Sequence, residues 1–185
     1  MEIEVKARLK NEKVVVKKLT ELGCKLSEPI VQDDTVWSKE AGSLKVFLSN
    51  DVFLRIRIQN REKIILTAKK PKAKSGHASL VKHEFEVVVD SEKEAQGILT
   101  LLGLQPAVHT KKIRRKTNYK DYEICIDEIE NLGAFIEIEK IGEEKDANKI
   151  QKEMLLFLSS LSVSEDDVVK KGYDILMLEK EIKHF

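Results

Sequence analysis

Apolar and polar residues alternate along much of this chain. The opening segment EIEVK is an example, because a β-strand there would place Ile3 and Val5 on one face and its three charged residues on the other. This alternation recurs often enough to predict far more strand than an average domain carries. The predicted strands are residues 2–8, 30–37, 44–49, 52–59, 62–69, 80–89, 109–118, 121–129 and 133–141, and the predicted hairpin turns are 49–51, 60–61 and 131–133.

Helical periodicity occurs in fewer places. Residues 11–22 carry apolar side chains at helical spacing, and residues 91–103 begin with the spacing of a capping box. The C-terminal third, from about residue 145, is also predicted to be helical, and Ser164 is predicted to cap its second helix. Such amphipathic helices would pack on the outside of a sheet, so the fold class is α+β.

Length and composition limit the classes of protein that need to be considered. The 185 residues can form one domain with a substantial core, and no Pro- or Gly-rich linker divides them, so we expect a single domain over 1–185. The 33 Lys and Arg nearly balance the 32 Asp and Glu, which disfavours bulk binding to nucleic acid or an anionic membrane. Cys24 and Cys125 lack zinc-site spacing and are predicted to be buried thiols. Without a signal peptide or a long apolar run, a cytoplasmic location is expected.

Charged residues share one face of many predicted strands, in pairs and triples. For a single strand, the solvated face of an ordinary antiparallel sheet explains this pattern. If the strands close into a barrel with helices outside, the charged faces line a cavity instead. Ions buried there cost several kcal/mol each unless they are paired, solvated or bridged by a ligand. The set is Glu2, Glu4, Lys6, Arg55, Arg57, Lys69, Lys82, Glu84, Glu86, Lys112, Arg114, Lys116, Asp127, Glu137 and Glu139.

The mixture of signs indicates which ligand would suit such a cavity. Carboxylates from different strands can hold a hard cation such as Mg²⁺ or Mn²⁺, and Arg and Lys neutralise phosphoryl oxygens. An acidic cavity alone would suit a metal, and a basic one a phosphate. The combination points to a metal-bound triphosphate and to phosphoryl chemistry.

Five segments in order resemble the CYTH family, also called triphosphate tunnel metalloenzymes. EIEVK resembles its Glu-x-Glu-x-Lys signature, FLRIRI its Arg-x-Arg strand, and TAKKP its lysine-bearing strand end. KHEFEV resembles its Arg-x-Glu-x-Glu strand, with Lys82 in place of the usual Arg, and IDEIENLGAFIEIE resembles its Asp strand followed by Gly-x-Phe-x-Glu-x-Glu. The family includes class IV adenylyl cyclases, thiamine triphosphatases and tripolyphosphatases. The resemblance implies a closed eight-stranded antiparallel barrel, with helices packed outside, whose tunnel binds triphosphate.

The resemblance also implies roles for individual residues. Glu2, Glu4 and Lys6 would be catalytic. Arg114 and Lys116 invert the family's common Lys-x-Arg order while keeping both charges. The expected metal ligands are Glu2, Glu4, Glu86, Asp127, Glu137 and Glu139, and the expected triphosphate-binding residues are Lys6, Arg55, Arg57, Lys69, Lys82, Lys112, Arg114 and Lys116.

Several functions fit these residues. A metal-dependent hydrolase of tripolyphosphate or nucleoside triphosphates is favoured, because no segment clearly recognises adenine. A class IV-type adenylyl cyclase, in which the ribose 3′-hydroxyl attacks the α-phosphorus of ATP, is the alternative. A non-catalytic polyphosphate- or nucleotide-binding module is the third. A homodimer is a family-level expectation, and the lysine-rich segment 69–83 either steers anions or is an ordinary solvated loop.

Overall fold

Eight of the nine predicted strands are present in the computed structural model, which describes residues 2–49, 52–71 and 82–183. The sixth strand begins at Gln105, earlier than predicted. The prediction began it at His109 because the residues before His109 lack clear alternation. The strands are β1 (Glu2–Arg8), β2 (Ile30–Ser38), β3 (Phe53–Gln59), β4 (Lys63–Pro71), β5 (Lys82–Val89), β6 (Gln105–Tyr119), β7 (Tyr122–Ile129) and β8 (Gly133–Ile141). The helices are α1 (Glu12–Glu21), α2 (Leu44–Ser49), α3 (Glu92–Leu101), α4 (Ala147–Ser160) and α5 (Tyr173–Lys183).

The strand predicted at 44–49 is wrong, because these residues form α2. Ser43 begins this helix: its carbonyl accepts from the Phe47 amide at 2.9 Å, and its hydroxyl accepts from the Val46 amide at 3.4 Å. Phe47 is fully buried and packs edge-on against Phe53, with ring centroids 5.4 Å apart. The six residues LKVFLS are too few to separate a period of two from a helical period, so their alternation did not discriminate between strand and helix.

The helix predicted to begin after Ser164 is interrupted. Ser164 caps only a single 3-10 turn, Glu165–Asp167. Val168 then forms an antiparallel bridge with Ala7 of β1, and the long helix begins at Tyr173. The extended backbone that this pairing requires overrides the local helical pattern.

The strands form one sheet in the order β1-β8-β7-β6-β2-β3-β4-β5. Asn60 and Arg61 turn the chain between β3 and β4 with φ of 52° and 62°, and Asn131 does so between β7 and β8 with φ of 65°, as predicted. The turn predicted at 49–51 lies partly outside the described residues. Closure of the sheet into a barrel, which the family resemblance implied, is not found over the described residues.

Contacts divide the chain into two compact units. The first unit contains β1, α1, the part of β6 from Ile113, β7, β8 and α4. The second unit contains β2, α2, β3, β4, β5, α3, the part of β6 up to Lys112, and α5. Each unit pairs its own strands and has its own apolar core.

In the first unit, the apolar face of the sheet packs under α1 and α4. Ile3, Ile124 and Ile138 are fully buried there against Leu19 of α1 and Met154 of α4. Burial of one such side chain contributes about 1.5–3 kcal/mol. The charged side chains of β1, β7 and β8 therefore lie on the opposite face of these strands.

In the second unit, α3 covers the apolar face of the neighbouring strands. Ala95 and Leu99 of α3 pack against Trp37 of β2 and Ile56 of β3. The Ser91 hydroxyl accepts from the Glu94 amide at 3.2 Å and caps α3 as predicted. None of the helices among the described residues combines the length and apolar character needed to cross a membrane.

Candidate functional site

Strand register brings carboxylates together on the charged face of the first unit. Glu139 of β8 lies between Glu4 of β1 on one side and Glu123 of β7 on the other. In the next row, Glu137 lies between Lys6 and Cys125. Like charges directly opposite one another are destabilising, so this first row of three carboxylates needs positive charge nearby.

Two buried cations neutralise the second row and the carboxylate beyond it. Arg114 of β6 donates to both carboxylate oxygens of Asp127, at 2.7 and 2.5 Å, and also to Glu137. Lys6 Nζ lies 2.9 Å from Glu137 and 3.7 Å from Glu4. Burial by itself would lower the pKa of Arg114, but Asp127 and Glu137 more than offset this and raise it. Asp127 and Glu137 are therefore paired with buried cations of the same unit.

Glu139 shows what the remaining excess of charge does. Burial, a hydrogen bond with Glu2 and the negative charges of Glu137 and Glu2 raise the pKa of Glu139 to about 8, against the opposing charge of Arg114. A carboxyl group with a raised pKa loses its proton to solvent when a divalent cation binds beside it. This end of the face thus carries the electrostatic character of a cation site.

Glu123 is a member of this face that the sequence prediction missed. Its carboxylate accepts from Lys116 Nζ at 2.6 Å. It precedes Cys125 and Asp127 at a spacing of two on β7, so the alternation that found Asp127 could have found it. Cys125 is fully buried, as predicted, and this burial is the main cause that raises the pKa of its thiol to about 12.

The second unit has a cluster of the opposite character, centred on Asp34 of β2. Asp34 faces Arg57 of β3 in register and accepts from its Nε and Nη2, both at 2.7 Å. Arg55 Nη1 lies 3.8 Å from the same carboxylate. Burial alone would raise the pKa of Asp34, but the hydrogen bonds and charge of Arg57, aided by Arg55 and Lys112, hold it below its ordinary value. The sequence prediction missed Asp34, although it alternates with Gln32 on one strand face.

Arg55 is only partly satisfied by its neighbours. Its Nη2 donates to Thr67 Oγ1 at 3.0 Å and to Glu86 Oε1 at 3.1 Å. Its Nε is buried and has no hydrogen-bond partner among the described residues. A buried N–H without an acceptor costs about 1–3 kcal/mol, so this donor is suited to an oxygen ligand.

Other predicted phosphate-binding residues lie in the same unit. Lys69 is 2.7 Å from Glu84. Lys112 is buried, and its Nζ lies 5.2 Å from the centroid of the Tyr173 ring, in a cation–π contact. Lys82 begins β5, but its side chain and residues 72–81, which make up most of the lysine-rich segment, lie outside what the structure describes.

The predicted site residues thus fall into two groups. Glu86, predicted to bind metal, lies among the cations of the second unit; burial would raise its pKa, but Thr67, Arg55 and Arg57 lower it. The first unit holds Glu2, Glu4, Lys6, Arg114, Lys116, Asp127, Glu137 and Glu139, and the second holds Arg55, Arg57, Lys69, Lys82, Glu86 and Lys112.

The fit of a metal can be judged from the donor groups. Among the described residues, no three His, Cys, Asp or Glu side chains converge on one point as metal ligands. The donors of the first unit are nevertheless of the right kind, because carboxylate oxygens suit hard divalent cations and the acid excess at Glu2, Glu4 and Glu139 calls for positive charge.

Known proteins resemble this chain over almost its whole length. It is 30% identical over 174 residues to the "Putative adenylate cyclase MJ0240" of Methanocaldococcus jannaschii, covering 94% of this chain and 96% of that protein. The structure of the PH1819 protein from Pyrococcus horikoshii superposes with a TM-score of 0.80 at 27% identity, covering 97% of this chain and 99% of that one.

A third relative supports the fold alone. The "Putative adenylyl cyclase HpAC1" of Hippeastrum, whose structure is described as revealing a dominant triphosphatase activity, superposes with a TM-score of 0.64 at 19% identity, covering 98% of this chain and 96% of that one.

The sequence profile of the CYTH domain matches residues 1–173. Since that match spans most of the 185 residues and agrees with the fold and the charged strand faces, the chain belongs to the CYTH domain family of triphosphate-processing enzymes.

Proposed function

We propose that this protein is a divalent-metal-dependent enzyme that hydrolyses inorganic tripolyphosphate or nucleoside triphosphates. The separation of charge between the two units carries the proposal. The first unit has an acid excess strong enough to keep a proton on Glu139, and the second has a buried arginine N–H without an acceptor. The first suits a cation and the second suits phosphoryl oxygens.

The carboxylates of the first unit would hold Mg²⁺ or Mn²⁺. Glu2, Glu4 and Glu139 are the proposed principal ligands, and Asp127 and Glu137 assist from their ion pairs with Arg114 and Lys6. A divalent cation bound there would supply positive charge that orients and neutralises the phosphoryl oxygens. Glu86 remains a predicted ligand, although its contacts in the second unit favour a role in holding Arg55.

Each unit contains cations that the sequence predicts to bind phosphate. Arg55 offers its unpartnered Nε–H, and Arg57 keeps N–H groups beyond the two that Asp34 accepts. Enclosure of the substrate by a closed barrel stays a prediction, as do a single domain over 1–185, a cytoplasmic location and a homodimer. The proposed phosphate-binding residues are Lys6, Arg55, Arg57, Lys69, Lys82, Lys112, Arg114 and Lys116.

The residue that activates water must be a carboxylate that solvent can reach. The Glu4 side chain is 33% exposed and Glu2 is exposed, whereas Asp127 and Glu137 are buried in ion pairs. Glu2 or Glu4 would orient water and accept its proton as it attacks the terminal phosphorus. Lys6, which lies beside Glu4, would stabilise negative charge on the phosphate.

An adenylyl cyclase is the second candidate, favoured by the name of the relative from Methanocaldococcus jannaschii. The same metal and phosphate ligands would serve it. The attacking oxygen would be the ribose 3′-hydroxyl, and pyrophosphate would leave. Hydrolysis requires only water as nucleophile and no adenine contact, and for that reason it is our first proposal.

One experiment separates these functions. The purified protein is incubated with Mg²⁺ or Mn²⁺ and either tripolyphosphate or ATP, and the products are separated. Release of orthophosphate supports the hydrolase, and cyclic AMP with pyrophosphate supports the cyclase. Tight binding without turnover would contradict both and support a binding module. Glu4→Gln should be inactive, while Glu128→Gln, which alters an exposed carboxylate on the other face of β7, should be active.

A further inference from the structure

Asp34 occupies an unusual place for a carboxylate in a phosphate-binding cluster. Its side chain is 7% exposed, and it lies in register with Arg57, which is 11% exposed. Both of its oxygens accept from the guanidinium fork, and a second arginine, Arg55, approaches to 3.8 Å. A carboxylate here reduces the positive charge that would attract an anion, so its presence needs a reason other than affinity.

Stability is a weak reason. Replacing a buried ion pair by apolar residues is often neutral or stabilising, because desolvation offsets the attraction between the charges. What a bidentate pair does provide is geometry: it fixes the plane and direction of a guanidinium that would otherwise rotate about several bonds.

The contacts of Arg57 show how that geometry could be used. Asp34 occupies Nε–H and one N–H of Nη2, and Nη1 donates to none of the described residues. The guanidinium is therefore held along one edge, and N–H groups on its other edges remain for a ligand. Arg55 is fixed in a similar way, because Thr67 and Glu86 hold its Nη2 while its Nε stays without a partner.

From this arrangement we propose that Asp34 is a positioning residue, which holds Arg57 and, more weakly, Arg55 in the orientation that binds the phosphate oxygens of a triphosphate. The proposal rests on the proposed function for the identity of the ligand. It assigns Asp34 no contact with substrate. Its effect would come from pre-organisation, since arginines already ordered lose less freedom when the anion binds.

The test compares Asp34→Asn with a matched control, Asp33→Asn. Asp33 is the adjacent residue on the opposite strand face, where it lies 2.5 Å from the exposed His109. Isothermal titration with tripolyphosphate in the presence of a chelator gives the Kd, and steady-state kinetics with Mg²⁺ gives KM and kcat. We expect Asp34→Asn to raise Kd and KM about tenfold, with a smaller change in kcat, and Asp33→Asn to leave all three unchanged.

Two further variants identify the route of the effect. Arg57→Lys keeps the charge but loses the fork, so adding Asp34→Asn to it should change Kd by less than about twofold if Asp34 acts through Arg57. Asp34→Glu keeps the carboxylate and should restore part of the affinity. Circular dichroism and thermal melting verify that each variant is folded, because a purely structural role would lower the melting temperature without changing the Kd of the folded protein.

The failures can be told apart. Equal or tighter binding of tripolyphosphate by folded Asp34→Asn would overturn the proposal, since Asp34 would then be only a counter-ion. Failure of both Asp34→Asn and Asp34→Glu to fold would also overturn it, because Asp34 would then serve folding. A wild-type protein that binds tripolyphosphate without turnover would contradict the proposed hydrolase but leave the titration as a valid test of Asp34.

Discussion

The candidate site residues of the first unit include more carboxylates than cations, whereas those of the second unit include more cations than carboxylates. In the first, the pKa of Glu139 is raised to about 8; in the second, the pKa values of Asp34 and Glu86 are lowered. The first set is Glu2, Glu4, Glu123, Asp127, Glu137 and Glu139 with Lys6, Arg114 and Lys116, and the second is Asp34, Glu84 and Glu86 with Arg55, Arg57, Lys69 and Lys112.

The difference shows that the same alternation of charged and apolar residues can give two strand faces of opposite charge balance. Charged residues alternate with apolar ones on strands of both units, and helices cover the apolar faces of both. Only the balance of charge differs, and the pKa shifts report that balance in opposite directions. An acid excess is relieved by a cation and a base excess by an anion, so the two units are suited to ligands of opposite charge.

The largest expected effect tests the internal pairing of the first unit. Arg114→Met removes the buried guanidinium that donates to Asp127 and Glu137, and should lower the free energy of unfolding by about 3–5 kcal/mol. Its control is Arg115→Met, because the next residue forms a half-exposed pair with Glu12 that is worth less than about 1 kcal/mol. Urea denaturation measures both. Equal losses of unfolding free energy in the two variants would mean that the buried ion pairs of Arg114 stabilise the fold no more than the pair of Arg115 with Glu12.

The next test addresses the acid excess directly. Glu139→Gln should lower metal-dependent turnover on the order of 10²–10³-fold. It should also abolish the rise in melting temperature that Mg²⁺ or Mn²⁺ produces in the wild-type protein. Without metal, the variant should melt close to the wild type, because Glu139 already carries a proton at neutral pH. Full activity and an unchanged metal-induced shift would show that Glu139 is not a ligand; Glu128→Gln is the control.

A smaller effect is expected from the cations of the second unit. Arg55→Lys keeps the charge but loses the unpartnered Nε–H, so KM for tripolyphosphate should rise about tenfold while the melting temperature changes little. Arg61→Lys, at the exposed turn between β3 and β4, is the matched control. An unchanged KM for Arg55→Lys would contradict the proposal that the Nε–H of Arg55 binds phosphate.

The smallest effect concerns stability at acid pH. The folded pKa of Asp34 lies below its ordinary value of 3.8, so its ionised form stabilises the fold above that value. This contribution is lost as the pH falls through the lower, folded pKa. Unfolding free energies measured from pH 6 downward should therefore decline less steeply below about pH 4 in Asp34→Asn than in wild type. Identical slopes would show that the ion pair with Arg57 does not contribute.

Much of the fold followed from local patterns in the sequence. A period of two assigned the faces of eight strands, because successive side chains on a strand point to opposite sides whatever the strand pairs with. The Ser91 cap likewise depends on neighbours within one helical turn. The pattern failed at 44–49, where a short run fits two periods, and after Ser164, where pairing of Val168 with β1 outweighed local preference.

The sequence by itself determined which residues are charged and which face of a strand they share. The resemblance of five segments to the CYTH family added the family and, with it, the roles predicted for Glu4, Arg57 and Glu139. Only the tertiary structure decided their partners, because register joins residues far apart in the chain: Glu4 lies opposite Glu139, and Asp34 opposite Arg57. Alternation does not encode those pairings. They distinguish an acid-rich face from a base-rich one, and they place Asp34 beside the guanidinium of Arg57.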